Sequence, residues 1–264
     1  MSRIKGAFRR CGDRGEGALI CYLTAGYPDD SSFLEYFDAC LAGGADIMEV
    51  GVPFSDPVAD GPTIQLTSQV ALERGMTPLG ALESVRGLRT STEVPMVLMG
   101  YYNPIFRIGE AQYASRASEA GADGLIVADL PLEESAGLRS ACLDEGLDMI
   151  QLASPLSQGR RMQDICRASQ GYLYLVSALG ITGTRNSLAE GLPQLIERTV
   201  RAAGELPVAV GFGISSPRHV GQVIQAGASG AIVGSALLAQ IIEGARPESI
   251  AEFVGQLKAA TKVR

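Results

Sequence analysis

Short apolar runs, each bounded by Gly, Pro or polar residues, recur along the chain. Eight read as strands: 19–24, 47–51, 96–99, 124–128, 149–152, 172–176, 208–211 and 231–233. Between and after them lie helical patterns at 30–42, 78–88, 112–119, 133–145, 160–168, 192–203, 217–225 and 250–259. Proline and acidic residues gather at the helix starts ("TPLGALE", "SPRHV", "LPLEES"), where first-turn preferences place them. One phrase returns three times: "GGADIMEV" at 43–50, "AGADGLIV" at 120–127 and "AGASGAIV" at 226–233. Each closes a helix with Gly and opens an apolar run. Strands that alternate with helices predict a parallel sheet, and eight units predict closure into a single (β/α)8 TIM barrel. The strands are apolar throughout rather than alternating, as burial on both faces requires.

Residues 1–264 read as one domain, because no linker or shift of composition interrupts them. The length fits a barrel, which runs to about 250 residues. The N-terminal stretch predicts an extra amphipathic helix through Ile4 and Phe8. Two long connections exceed a plain repeat: 53–74 after the second strand, which holds a loop and a helix, and the glycine-rich loop 177–191 after the sixth.

Composition then excludes several functions. The net charge is −7 and no basic stripe occurs, so nucleic acid is not an expected partner. No apolar stretch is long enough for a membrane span, and the N-terminus lacks the apolar core of an export signal. Five cysteines without a CxxC pair read as buried hydrophobes in a reducing cytoplasm.

In a TIM barrel the chemistry sits at the C-terminal ends of the strands. Two small-residue turns there, "VGFGISSP" at 210–217 and "IVGSALL" at 232–238, suit an oxyanion held by backbone N–H groups at helix starts. Gly211, Phe212, Gly213, Gly234 and Ser235 are the candidates, with Gly183 from the long loop; the alternative is that these glycines serve only tight turns. Glu49 interrupts the apolar run "IMEVGV". A carboxyl group buried there has its pKa raised by desolvation and suits a general acid/base; the plain alternative is a hydrogen-bonded structural carboxylate. Asp60, eleven residues on, either faces a substrate or caps a helix opened by Pro62; the sequence leaves both open. Asp56 reads as a turn residue and Asp129 as a structural or orienting carboxylate. Tyr22, Ile64, Tyr101, Tyr174 and Phe212 lie near strand ends and suggest a wall for a flat apolar group. There is one histidine, His219, and the lysines Lys5, Lys258 and Lys262 stand at the chain ends. A Schiff-base lysine, a zinc cluster and a Ser-His nucleophile are therefore not expected, and the site calls for no metal.

The phrases "TAGYP", "EVGVPFSDPVADGPTIQ", "YYNPI", "VADLPLEES", "GITG", "GFGIS" and "VGSA" stand in this order and spacing. From about Phe8 onward the chain resembles the tryptophan synthase alpha chain family. The resemblance implies a lyase that cleaves indole-3-glycerol phosphate to indole and glyceraldehyde 3-phosphate. It implies Glu49 as general acid/base, Asp60 as the carboxylate holding the indole N–H, and Tyr174 near the reacting centre. Tyr22, Ile64, Tyr101 and Thr182 would contact substrate, and Gly183, Phe212, Gly213, Gly234 and Ser235 the phosphate. It implies no cofactor in this chain, pyridoxal phosphate belonging to a beta partner, and an αββα tetramer whose beta-facing pieces are 53–60, Asn103, Pro104 and the loop after the sixth strand. Where many members have "SRxGVTG", this chain has "SALGITG", with Ala178 and Leu179 replacing the usual residues. A free-standing lyase that releases indole without a partner is the alternative. Two further rivals are a sugar-phosphate isomerase, which needs no second carboxylate, and a ligand-binding regulatory subunit, which needs no Glu49.

Overall fold

The polar residue of the recurring Gly-Ala-Asp/Ser phrase joins each strand to the one before it. In the computed structural model, which describes residues 2–177 and 191–262, Asp46 accepts from the Leu19 N–H at 2.8 Å, Asp123 from Met96 at 2.9 Å and Ser229 from Val208 at 3.2 Å. Each acceptor satisfies an amide at the start of the preceding strand, a group that would otherwise be left unpaired at the barrel's lower rim. The repeat is therefore both a helix stop and a strand-to-strand staple.

The strands are β1 (Ala18–Thr24), β2 (Ile47–Gly51), β3 (Met96–Gly100), β4 (Gly124–Val127), β5 (Asp148–Ala153), β6 (Leu173–Val176), β7 (Val208–Gly211) and β8 (Gly230–Val233). They pair in chain order, all parallel, and β8 returns to β1, closing a (β/α)8 barrel. The helices are α1 (Arg3–Asp13), α2 (Asp30–Ala42), α3 (Pro62–Glu73), α4 (Pro78–Arg89), α5 (Tyr102–Ile108), α6 (Glu110–Glu119), α7 (Ala136–Asp144), α8 (Gly159–Ala168), α9 (Leu192–Ala203), α10 (Pro217–Gln225), α11 (Ser235–Ile242) and α12 (Pro247–Ala259). None of the described helices is long and apolar enough to cross a membrane.

Besides shifts of one to three residues at several element ends, Tyr172 preceding β6 rather than opening it among them, the structure departs from the sequence-based elements in three larger respects. The single helix expected over 133–145 divides into a 3-10 turn at Leu132–Glu134 and α7. Helix α5 was not anticipated, because its seven residues contain Pro104 and follow β3 almost directly. Helix α11 was also not anticipated: "SALLAQII" is apolar on nearly every side and lacks the polar face that marks an amphipathic helix.

Helix α1 closes the lower end of the barrel. Its buried residues Ile4, Ala7, Phe8 and Cys11 follow helical spacing. The Phe8 ring packs on Tyr172 at 5.6 Å, and Ile4 and Phe8 reach over Gly124 and Gly230, where any added side-chain carbon would crowd them. Replacing Phe8 by Ala removes this plug, and we expect a loss of about 3 kcal/mol of unfolding free energy, measured by urea denaturation.

Candidate active site

Strand β2 carries Glu49 inward at the level of Tyr22 on β1, its register partner. Glu49 is fully buried. Its Oε1 accepts a 2.6 Å hydrogen bond from the Tyr172 hydroxyl, which rises from the barrel floor. Its Oε2 is buried and has no hydrogen-bond partner among the described residues. Burial pushes the Glu49 carboxyl up to about 7, and the Tyr172 donor offsets part of that rise. One oxygen is thus anchored from below, and the carboxyl exchanges a proton near neutral pH.

Glu49 lines a cavity at the C-terminal mouth of the barrel together with Asp60, Tyr22, Ile64, Met99 and Tyr174 at one end. Phe212, Gly213, Gly234 and Ser235 line the other. Asp60 is buried, and desolvation pushes its carboxyl up to about 6, offset in part by the neighbouring Tyr101 hydroxyl. The open question about Asp60 is resolved by α3, whose N-cap is Gly61 with no side-chain cap bond. Asp60 therefore does not cap that helix. Tyr101 stands behind Asp60, outside the cavity lining: its hydroxyl accepts from the Ala59 N–H at 3.1 Å and its ring packs on Phe54 at 5.4 Å. Tyr101 thereby holds the β2 loop in place. Asp129 accepts from the Tyr102 N–H at 2.7 Å at the start of α5, a structural role. His219 sits in the first turn of α10 against Ser215.

At the other end, Phe212 has φ of 64°, the one positive value for a non-glycine among the described residues, and Gly213 follows at 80°. A bulky residue in the left-handed region is costly and is kept only where its surroundings enforce it. Here the Ser177 hydroxyl holds the Phe212 carbonyl, and the ring meets Tyr174 edge-on at 5.9 Å. Gly234 is the N-cap of α11 and Ser235 its first residue, so the unpaired amides of that helix start face the cavity. Among the described residues no Lys, Arg or His belongs to the lining. An anion here meets N–H dipoles rather than side-chain cations.

Of the candidates drawn from sequence, Glu49, Asp60, Tyr22, Ile64, Tyr174, Phe212, Gly213, Gly234 and Ser235 share this one cavity. Thr182 and Gly183, with Ala178 and Leu179, lie outside the described residues. Sequence reasoning missed Tyr172. A signal existed, since Tyr172 stands two residues before Tyr174 and strand alternation turns both side chains into the barrel.

A family model described as tryptophan synthase alpha chain matches residues 8–262. A tryptophan synthase alpha chain of Citrifermentans bemidjiense is 47% identical over 261 residues, covering 98% of this chain and 97% of that one. A chain in the solved structure of Mycobacterium tuberculosis tryptophan synthase superposes with a TM-score of 0.91 at 35% identity, over 100% of this chain and 99% of its own. The solved alpha chain of Legionella pneumophila subsp. pneumophila gives 0.89 at 33% identity, over 99% and 97%. With its barrel closed in the same way and the match running almost end to end, the chain belongs to the tryptophan synthase alpha chain family.

Proposed function

We infer that the chain is a lyase performing the alpha reaction of tryptophan biosynthesis: retro-aldol cleavage of indole-3-glycerol phosphate to indole and glyceraldehyde 3-phosphate. The observation that carries this reading is the single cavity in which a buried, half-anchored Glu49 and a second carboxylate, Asp60, face an amide-lined anion site. The phosphate is assigned to the backbone at Gly213, Gly234 and Ser235, with Phe212 fixing the turn. This leaves the indole between the two carboxylates and the apolar side chains of Ile64, Met99 and Phe212.

The steps follow from the chemistry of the bond. The carbon–carbon bond breaks only if its electrons have somewhere to go. Protonated Glu49 gives its proton to indole C3, which makes an indolenine cation. The Asp60 carboxylate accepts the N–H hydrogen bond and stabilises the charge on nitrogen. Glu49, now ionised, takes the proton of the glycerol hydroxyl next to the breaking bond. The carbonyl of glyceraldehyde 3-phosphate forms, and the electrons of the broken bond return the ring to neutral indole. Glu49 ends protonated as it began. Tyr174, beside Phe212, orients the reacting end. These are proton transfers between carboxylates and substrate, so we assign no cofactor to this chain and leave pyridoxal phosphate to the beta partner.

A beta chain is the proposed partner, in an αββα assembly. Large apolar side chains are displayed around the mouth of the barrel: Val58 is 72% exposed, Phe106 66% and Leu156 70%. They follow β2, β3 and β5 and stand near the expected beta-facing pieces 53–60, Asn103 and Pro104. A sugar-phosphate isomerase accounts neither for this apolar rim nor for the second buried carboxylate.

Glu49→Gln should cut indole release by at least about a thousandfold, while titration with indole-propanol phosphate still shows binding. Near-normal turnover would remove Glu49 from its role. The first step needs protonated Glu49, so kcat/KM should fall as pH rises through about 7. The Tyr172 donor favours the charged form, so Tyr172→Phe raises the Glu49 pKa and should move the falling limb to higher pH. Purified chain alone should release indole slowly and be strongly activated by an added beta chain. Equal rates with and without beta would instead favour the free-standing lyase.

A further inference from the structure

One residue at the end of β6 grips two successive carbonyls of the turn that carries Gly213. Val176, the last residue of β6, stands in register with Gly211 on β7. Ser177 follows it. The Ser177 N–H donates to the Gly211 carbonyl at 3.1 Å, and the Ser177 hydroxyl donates to the Phe212 carbonyl. Successive carbonyls of an extended strand point to opposite sides. Here both turn toward Ser177, and the left-handed φ of Phe212, 64°, is what brings them round. Tyr174 holds the Phe212 ring, and Ser177 holds its backbone. Ser177 is buried and is not part of the cavity lining, whereas Gly213 is. The serine therefore acts on a ligand only through the turn.

The Phe212 carbonyl and the Gly213 N–H belong to one peptide unit, which is trans and planar. In such a unit the two groups point in opposite directions. With the oxygen drawn to Ser177, behind the lining, the N–H is turned away from Ser177 and toward the cavity. Among the described residues no backbone carbonyl accepts from it. We propose that Ser177 is a positioning residue for the phosphate: by holding the Phe212 carbonyl, it sets the direction of the Gly213 N–H donor. This rests on the phosphate assignment in the cleavage reaction inferred above. A bulky residue keeps a left-handed φ only while its surroundings enforce it. Without the hydroxyl, Phe212 relaxes and the peptide turns. The N–H then swings off the anion, and the negative end of the carbonyl dipole swings toward it.

The test titrates the purified protein and its Ser177→Ala and Ser177→Thr variants with indole-propanol phosphate, and with indole as a probe that lacks the phosphate. A dissociation constant does not depend on how much of a variant is active. Ser177→Ala should weaken indole-propanol phosphate about tenfold and leave indole within about twofold of wild type. Ser177→Thr keeps the donor and should bind indole-propanol phosphate within about threefold of wild type. In protein carrying isotope-labelled glycine, the Gly213 amide proton should move downfield when indole-propanol phosphate is added to wild type or to Ser177→Thr, and should stay in place in Ser177→Ala. Unchanged affinity in Ser177→Ala overturns the proposal. So does an equal loss for indole, which reports general loosening of the site, or a loss that Ser177→Thr fails to restore, which reports packing rather than the hydrogen bond. Failure of the wild-type protein to bind indole-propanol phosphate or to cleave indole-3-glycerol phosphate refutes the assigned reaction instead, and is seen before any variant is made.

Discussion

The site depends on how one carboxyl group is kept out of water. Glu49 is buried with a hydrogen bond to one oxygen and, among the described residues, no partner for the other. Leaving a buried polar atom unpaired costs about 1–3 kcal/mol, and more if the group is charged. A protein avoids most of that cost by holding the group protonated. That is why burial raises the carboxyl to about 7, where it both gives and takes a proton readily. The arrangement needs a stiff floor, and the floor is Tyr172 resting on Phe8 of α1. The extra helix below the barrel is therefore coupled by direct packing to the orientation of the acid above it.

Two carboxylates with raised pKa share the cavity, and their surroundings differ. Glu49 is inside the barrel wall on β2 and held from below by a tyrosine. Asp60 is on a loop, clamped from behind by Tyr101 through the Ala59 amide. The lower value for Asp60, about 6 against about 7, leaves it the more readily ionised of the two. Such a separation suits one group to proton donation and the other to stabilising positive charge. Among the described residues no cation joins the lining, so an anion there would meet helix-start amides instead. Lysine or arginine in the same place would have drawn both acids toward full ionisation.

Much of this was legible in the chain. Apolar runs alternating with helical patterns gave the barrel, and the Gly-Ala-Asp/Ser phrase marked three of its helix-to-strand joints. Glu49 stood out because a charge in a strand core is rare. Asp60 did not, because an acid before Gly-Pro is equally a helix cap, and only the backbone shows that Gly61 occupies that position. Tyr172 was hidden among apolar residues, where an aromatic reads as packing; its spacing from Tyr174 turned it inward, but nothing local tied its hydroxyl to Glu49, 123 positions away. Helix α11 was hidden for the opposite reason: it is buried enough to lack a polar face, so periodicity could not separate it from the strand it follows. Tyr101 was placed near the right strand end, but its contact with Ala59 joins residues 42 positions apart, beyond the reach of pattern.

The inward tyrosines explain a second use of glycine in this barrel. Glycines in turns supply backbone conformations that other residues resist. Gly51 and Gly211 are different: neither is among the glycines with positive φ, and both stand at the ends of strands. What each lacks is a Cβ at the point where a tyrosine hydroxyl lies, Tyr22 against Gly51 and Tyr174 against Gly211. Register places Gly51 beside Thr24 and Gly211 beside Val176, each two residues beyond the tyrosine it accommodates. Both rings must therefore lean toward the C-terminal mouth. Barrel interiors are normally packed solid by branched side chains. Here two long rings, each paired with a missing side chain, fill the upper barrel up to the level of the carboxylates and stop there. The cavity begins where those rings end, so its depth is set by the glycines as much as by the aromatic residues that line it.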